Sequence, residues 1–348
     1  MKYIKFLLIF TMVFAACAQQ QESTVKAENS DNESYIAETV INNIAIPWGM
    51  AFLPDGSMLV TEKGGELFRV KNNSKTAISG VPVSKVNGQG GLMDVALHPD
   101  YSKNGWIYLS YSSPEGEGKG TNTAIMRAKL QGNALSDQEV LYKASPNSDR
   151  GQHFGSRIVF DDKGYLYFSI GDRGNRDENP QDITRDCGKI YRLKDDGSIP
   201  QDNPFVNASH AKRAIYSFGH RNPQGLVKNP FTGEIWEHEH GPKGGDEINI
   251  IKAGKNYGWP KASFGINYNG TSFTDHTTIP GMENPVFYWI PSIAPSGMAF
   301  VTSDKYPKWK GSLLVGSLAF QYLERLEFKD NRVVKRERLI DKKGEYVT

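Results

Sequence analysis

Trp48-Gly49-Met50-Ala51-Phe52, a Pro54-Asp55-Gly56 turn, Met58-Leu59-Val60, then Gly64-Gly65 and Leu67-Phe68-Arg69-Val70 spell three short strands joined by tight turns. Glycine supplies the positive φ that such turns require. The same grammar returns from Leu92 to Tyr111, with His98-Pro99-Asp100 as the first turn, and from Phe154 to Leu193, with Asp161-Asp162-Lys163-Gly164. Weaker copies run from Pro223 to Ile251 and from Ser296 to Phe328, at a spacing of about 45 to 73 residues. No run of helical period and convincing length interrupts them. Repeated antiparallel sheets of this size cannot bury both faces alone and stack around a channel, so the chain is expected to be an all-β propeller of four-stranded antiparallel blades.

The 348 residues are 38% apolar and 23% charged, with 35 Gly and 18 Pro, which suits one large folded domain rather than a disordered chain. Lys plus Arg number 41 against 39 Asp plus Glu, and a net charge of +2 offers no field to track a phosphate backbone. Nucleic acid is therefore not an expected partner.

Residues 1–16 read as an export signal: Lys2 and Lys5 precede an apolar run from Phe6 to Ala16, too short to span a bilayer of roughly 30 Å. Phe14-Ala15-Ala16-Cys17 resembles a bacterial lipoprotein processing site, which makes Cys17 the candidate lipidation residue. The expected location is outside the cytoplasm, on a lipid anchor facing the periplasm or cell surface. Cys187 is then the only thiol left, so no intramolecular disulfide can form. Residues 17–35 read as a flexible polar tether and 36–348 as the propeller domain.

Chemistry is sought in the long Gly-rich segments between strands, because loops on one rim of a propeller converge on its channel. No Gly-x-Ser-x-Gly elbow, Walker loop, His-Glu-x-x-His or paired Cys-x-x-Cys occurs, and Gly88-Gln89-Gly90-Gly91 opens no helix. These absences argue against a nicotinamide or zinc enzyme. The remaining segments are Gly151-Gln152-His153-Phe154-Gly155-Ser156-Arg157, Gly171-Asp172-Arg173-Gly174, Gly219-His220-Arg221-Asn222-Pro223-Gln224-Gly225, and Glu239-His240-Gly241-Pro242 with Asp246-Glu247-Ile248-Asn249.

In that order, from about Ile46 to Phe328, they resemble the aldose sugar dehydrogenases of the soluble, pyrroloquinoline quinone (PQQ)-dependent glucose dehydrogenase superfamily. The resemblance implies six blades, the last of them incomplete here. It also implies oxidation of the C1 hydroxyl of aldose sugars to the lactone, with electrons passed to an external acceptor. His153 matches the general base, a task that neutral imidazole suits. Arg221 and Asn222 match contacts to the quinone, Arg221 also stabilising charge as hydride arrives, and Gln89 matches an amide contact to cofactor and substrate. Asp172 is a candidate substrate contact and the next candidate base.

Calcium is likewise implied by the resemblance. Gly241 and Pro242 match carbonyl donors to an ion at the quinone, while Glu247 and Tyr257 match a second, structural site. Ala319 departs from the family, which often carries a Lys there against a cofactor carboxylate. A calcium-dependent propeller lactonase and a carbohydrate-binding propeller without catalysis stay open as alternatives, and monomer and dimer are both open.

Overall fold

The computed structural model describes residues 25–28 and 34–341. Residues 1–16 and Cys17 lie outside the described residues. A short ribbon, β1 (Val25–Glu28) against β2 (Ser34–Ala37), precedes five antiparallel sheets of four strands each. The described part of the segment expected to be a tether is therefore partly strand.

The first sheet is β3 (Pro47–Phe52), β4 (Met58–Glu62), β5 (Glu66–Lys71) and β6 (Ser74–Ile78), and the second is β7 (Leu92–Leu97), β8 (Trp106–Ser113), β9 (Asn122–Gln131) and β10 (Ala134–Lys143). The third holds β11 (Ile158–Phe160), β12 (Leu166–Ile170), β13 (Lys189–Leu193) and β14 (Ile215–Phe218). The fourth holds β15 (Pro223–Lys228), β16 (Ile235–Glu239), β17 (Asp246–Ile250) and β18 (Phe287–Trp289). The fifth holds β19 (Pro295–Phe300), β20 (Leu313–Ser317), β21 (Tyr322–Lys329) and β22 (Arg332–Asp341). A single turn, α1 (Tyr101–Asn104), is the one α-helix among the described residues.

Every sheet is a simple meander, and each first strand packs beside the next sheet's first strand from β3 through to β19. Strands β12 and β13 are buried along their whole length, as a blade covered on both faces must be. Leu59, Leu67, Ile107 and Leu109 fill the first interface and Phe168, Tyr191 and Ile215 the second. Each such side chain contributes roughly 1.5–3 kcal/mol by leaving water.

The inner ends meet at Arg157. Its guanidinium pairs with Asp94 at 3.1 Å, donates to the Gln224 carbonyl at 3.1 Å and lies over the Trp48 ring at 4.5 Å, tying the first four sheets together. Gly49 is required here, since a Cβ would sit 2.7 Å from Asp94 Oδ1. Burial raises the Asp94 pKa, and the Arg157 charge opposes that rise.

Six blades were expected, and the described residues form five four-stranded sheets. The strands from β3 to β22 are consumed in fours, whereas β1 and β2 are four residues each and pair only with one another. Between the fifth and first sheets the chain uses residues 35–44. Tyr35 packs edge-on against Trp309 at 5.7 Å, in a cluster with Val301 and Leu339, while Ile41 and Ile44 cover Val60, Phe68 and Val70. This segment forms no strand after Ala37, so it covers apolar surface without adding a blade.

Candidate functional site

Five loops on one rim approach one another through their backbones, and glycine makes the close approaches possible. Gly151 accepts from the Gln89 amide at 2.7 Å, Arg221 from Asp172 at 2.7 Å, and Asn222 from His240 at 3.2 Å. A Cβ on Gly88 would lie 2.2 Å from the Gly151 carbonyl oxygen, and one on Gly171 would lie 2.4 Å from that of His153. These distances exclude any larger residue without moving the loops.

His153 itself is left-handed, at φ 56°, a conformation rarely held by a non-glycine residue unless its surroundings impose it. Here they do. The backbone N–H of His153 donates to Gln89 Oε1 at 2.7 Å, and Arg173 reaches back to the carbonyls of Gln152 and Arg150.

The resulting constellation contains Gln89, His153, Asp172, Arg221 and Asn222. His153 Nδ1 lies 2.6 Å from Asp172 Oδ1, which also accepts the Gly174 N–H at 2.6 Å, while Asp172 Oδ2 accepts Trp259 Nε1–H at 2.8 Å. Burial and then the Arg221 charge pull the His153 pKa down, although Asp172 pulls it up, so the ring is neutral near pH 7. Burial opposes ionisation of Asp172, but the hydrogen bond and charge of His153, the charge of Arg221 and the hydrogen bond from Trp259 outweigh it and keep the carboxyl below its ordinary value. An ionised carboxylate can only accept, so the imidazole proton belongs on Nδ1 and the lone pair on Nε2.

Asp172 is 1% exposed and its oxygens are spent on His153, Gly174 and Trp259. Expected as a substrate contact and reserve base, Asp172 here orients the His153 ring through Oδ1. Gln89, the other expected substrate contact, is exposed, and its Oε1 holds the His153 backbone in place.

Arg221 and Asn222 are aligned from below by Glu239, whose Oε2 accepts both backbone N–H groups while its Oε1 faces His220 at 3.2 Å. The Arg221 side chain donates to the His240 carbonyl at 2.8 Å, lies 5.4 Å from the Trp259 ring and ion-pairs with no carboxylate among the described residues. Asn222 Oδ1 accepts from Gly155 and Gln224, but its buried Nδ2 has no partner.

Gly241, Glu247 and Tyr257, expected to belong to two calcium sites, line one cavity together with Arg221, Glu239 and Trp259. Its volume is about 10 Å³, room for a single water-sized particle. Pro242 is buried beside it, with its carbonyl accepting from Ser292 Oγ at 3.1 Å. Glu237 and Glu247 share the Asn249 amide at 3.1 and 3.4 Å and ion-pair with no cation among the described residues. Burial, followed by the Glu239 charge, pushes both carboxyls well above the usual range. Two neighbouring acids with one shared donor, beside Glu239, fit a hard cation.

Sequence reasoning passed over Trp259 and Glu239. Trp259 stands in Tyr257-Gly258-Trp259-Pro260, where two aromatics flank a glycine, and Glu239 opens a quoted motif. Nothing in either string shows that one meets Asp172 and the other holds two amides.

Comparison with known proteins places residues 44–347 within the model of a family described as Glucose / Sorbosone dehydrogenase. The chain is 42% identical over 316 residues to aldose sugar dehydrogenase YliI of Escherichia coli (strain K12), covering 89% of this chain and 85% of that one. It is 30% identical over 336 residues to quinoprotein glucose dehydrogenase B of Acinetobacter calcoaceticus, covering 87% and 66%. Among solved structures, the apo form of the soluble E. coli aldose sugar dehydrogenase superposes with a TM-score of 0.84 at 41% identity, over 87% of this chain and 88% of that one. The PQQ-bound aldose sugar dehydrogenase of Streptomyces coelicolor superposes with a TM-score of 0.74 at 28% identity, over 88% and 85%.

Proposed function

Because the chain belongs to the Glucose / Sorbosone dehydrogenase family, we propose that it is a quinoprotein that oxidises the C1 hydroxyl of an aldose sugar to the lactone. The observation that carries this reading is the neutral His153, held by Asp172 at 2.6 Å and placed among Gln89, Arg221 and Asn222.

The residues fit a quinone bearing carbonyl and carboxylate oxygens: Arg221 is a cation without a carboxylate partner, and Asn222 Nδ2 is a buried donor without an acceptor. When bound, PQQ supplies the two-electron acceptor for the C1 hydride and passes the electrons to an external acceptor. The Gly241 and Pro242 carbonyls, the Glu247 carboxylate and the Tyr257 carbonyl are the donors for calcium.

The protein's own part is proton transfer and orientation. His153 Nε2 takes the proton of the C1 hydroxyl as the C1–H bond breaks and the lactone C=O forms. Asp172 keeps the tautomer correct and stabilises the imidazolium that results. Arg221 stabilises negative charge developing opposite the sugar. An exported lipoprotein anchored through Cys17 fits a reaction whose sugar and acceptor lie outside the cytoplasm.

The test is dye reduction by purified protein given aldoses. Turnover should need both PQQ and calcium and should fall about 10²–10⁴-fold in His153→Gln, which keeps one hydrogen bond but not the basicity. Turnover supported by NAD, or unchanged by chelator, would overturn the assignment.

A further inference from the structure

A hollow outside the site described above lies between the second and third sheets and has a volume of about 480 Å³. Loop 144–150 and the long loop 171–188 form its walls, with Asn122 and Cys187 beside them. Its charged lining is Arg150, Arg173, Arg185 and Lys212 with the acid Asp186, and Arg185 is already paired with Glu178 at 2.7 Å and Asp182 at 3.5 Å beside it. Asp186 is already satisfied, receiving Tyr142 and Tyr191 hydroxyls, the Ser145 N–H and Lys212 Nζ.

Two buried basic side chains, Arg173 in this wall and Lys189 behind it, have no carboxylate within ion-pair distance among the described residues. Arg173 is 1% exposed, sits over the Phe154 ring, donates only to the carbonyls of Thr121, Arg150 and Gln152, and its Nε–H has no partner. Lys189 is fully buried and donates only to the carbonyls of Asn179 and Cys187, both at 2.6 Å. Neither ion-pairs with a carboxylate among the described residues. The nearby Cys187 cannot serve as the anion, because burial pushes its pKa up to about 11 and keeps it a thiol. Carbonyl dipoles lessen but do not cancel a buried charge, and desolvating an unpaired cation is costly.

We propose that this hollow binds a small polyanion through its phosphate or carboxylate oxygens. Arg150 and Lys212, both reachable from solvent, donate to the oxygens, and the ligand's charge balances Arg173 and Lys189 behind them. The volume admits a molecule the size of citrate or a phosphorylated monosaccharide. Arg173 also holds the carbonyls on either side of Gly151, two residues before His153, so the occupied site braces the loop that carries the base.

Binding is measured by calorimetry and thermal melting on the full protein without sugar or quinone, so the result is independent of the proposed activity. Inorganic phosphate and citrate serve as probes, with chloride at equal ionic strength as the reference. Saturable heat and a saturable rise in melting temperature with either oxyanion are expected, and not with chloride. Phosphate alone would identify a phosphoryl ligand and citrate alone a polycarboxylate. Arg150→Gln with Lys212→Gln should weaken binding about ten- to a hundredfold per lost charged donor. Arg150 is exposed, whereas Lys212 is half-buried and pairs with Asp186, so a melt of the ligand-free variant first checks its fold, and the single variant Arg150→Gln repeats the test without touching that pair. Oxyanions acting no differently from chloride, or binding undiminished in the double variant, would overturn the proposal.

Discussion

Asp172→Asn swaps a carboxylate for an amide of nearly the same shape, and the geometry dictates what the amide can do. Asp172 offers Oδ1 to two donors, His153 Nδ1–H and Gly174 N–H at 2.6 Å each, and Oδ2 to a third, Trp259 Nε1–H at 2.8 Å. An amide has one oxygen, so one side must present N–H to N–H. With the oxygen toward Trp259, the Asn nitrogen faces His153, forces the imidazole proton onto Nε2 and removes the base. With the oxygen toward His153, a buried donor pair collides at Trp259, costing about 1–3 kcal/mol. Turnover should fall by about 10²–10⁴, the contribution of a general base. Trp259→Phe removes the competing donor and lets the Asn oxygen turn to His153. The effect of Asp172→Asn should therefore be about tenfold smaller in the Trp259→Phe background, a coupling of about 1.4 kcal/mol, within the usual range for contacting residues. Steady-state dye reduction in the four proteins of the cycle gives the coupling, and ¹⁵N NMR of the His153 ring reads the tautomer without turnover. An unshifted tautomer in Asp172→Asn, or strictly additive effects, would refute this account of the site.

The acid limb of turnover should fall below pH 6.5, because burial lowers the folded pKa of His153, so activity is retained until the pH drops through that lowered value. Asp172→Asn should move the limb further toward acid, since it removes the group that raises this pKa; a pH–rate profile reads both. Gly171→Ala would place a methyl group 2.4 Å from the His153 carbonyl oxygen, and should lower stability by roughly 1–3 kcal/mol in denaturant melts together with activity. Calcium should raise the melting temperature in proportion to RT ln(1 + [Ca²⁺]/Kd), and Glu247→Gln should abolish that rise.

The strands were legible because short apolar runs and the glycine turns between them are local signals. Trp48 to Val70 folds as written, and each of the five repeats became a sheet. The loops that carry chemistry were legible because glycine marks where backbones must touch, as Gly171 does against His153. Blade number was not local: it depends on how consecutive sheets pack, and Tyr35 in the short β2 with Ile41 and Ile44 in the coil after it cover the fifth and first sheets without adding a blade. Partnerships between loops were equally hidden. Asp172 and Trp259 are 87 residues apart, and only closure of the third and fourth sheets brings an indole N–H onto a carboxylate that reads in sequence as a substrate contact. Sequence alone determined which residue types the rim would offer. The tertiary structure decided which of them are buried, because burial and hydrogen bonding, set by neighbours far along the chain, fix the protonation state and role of each.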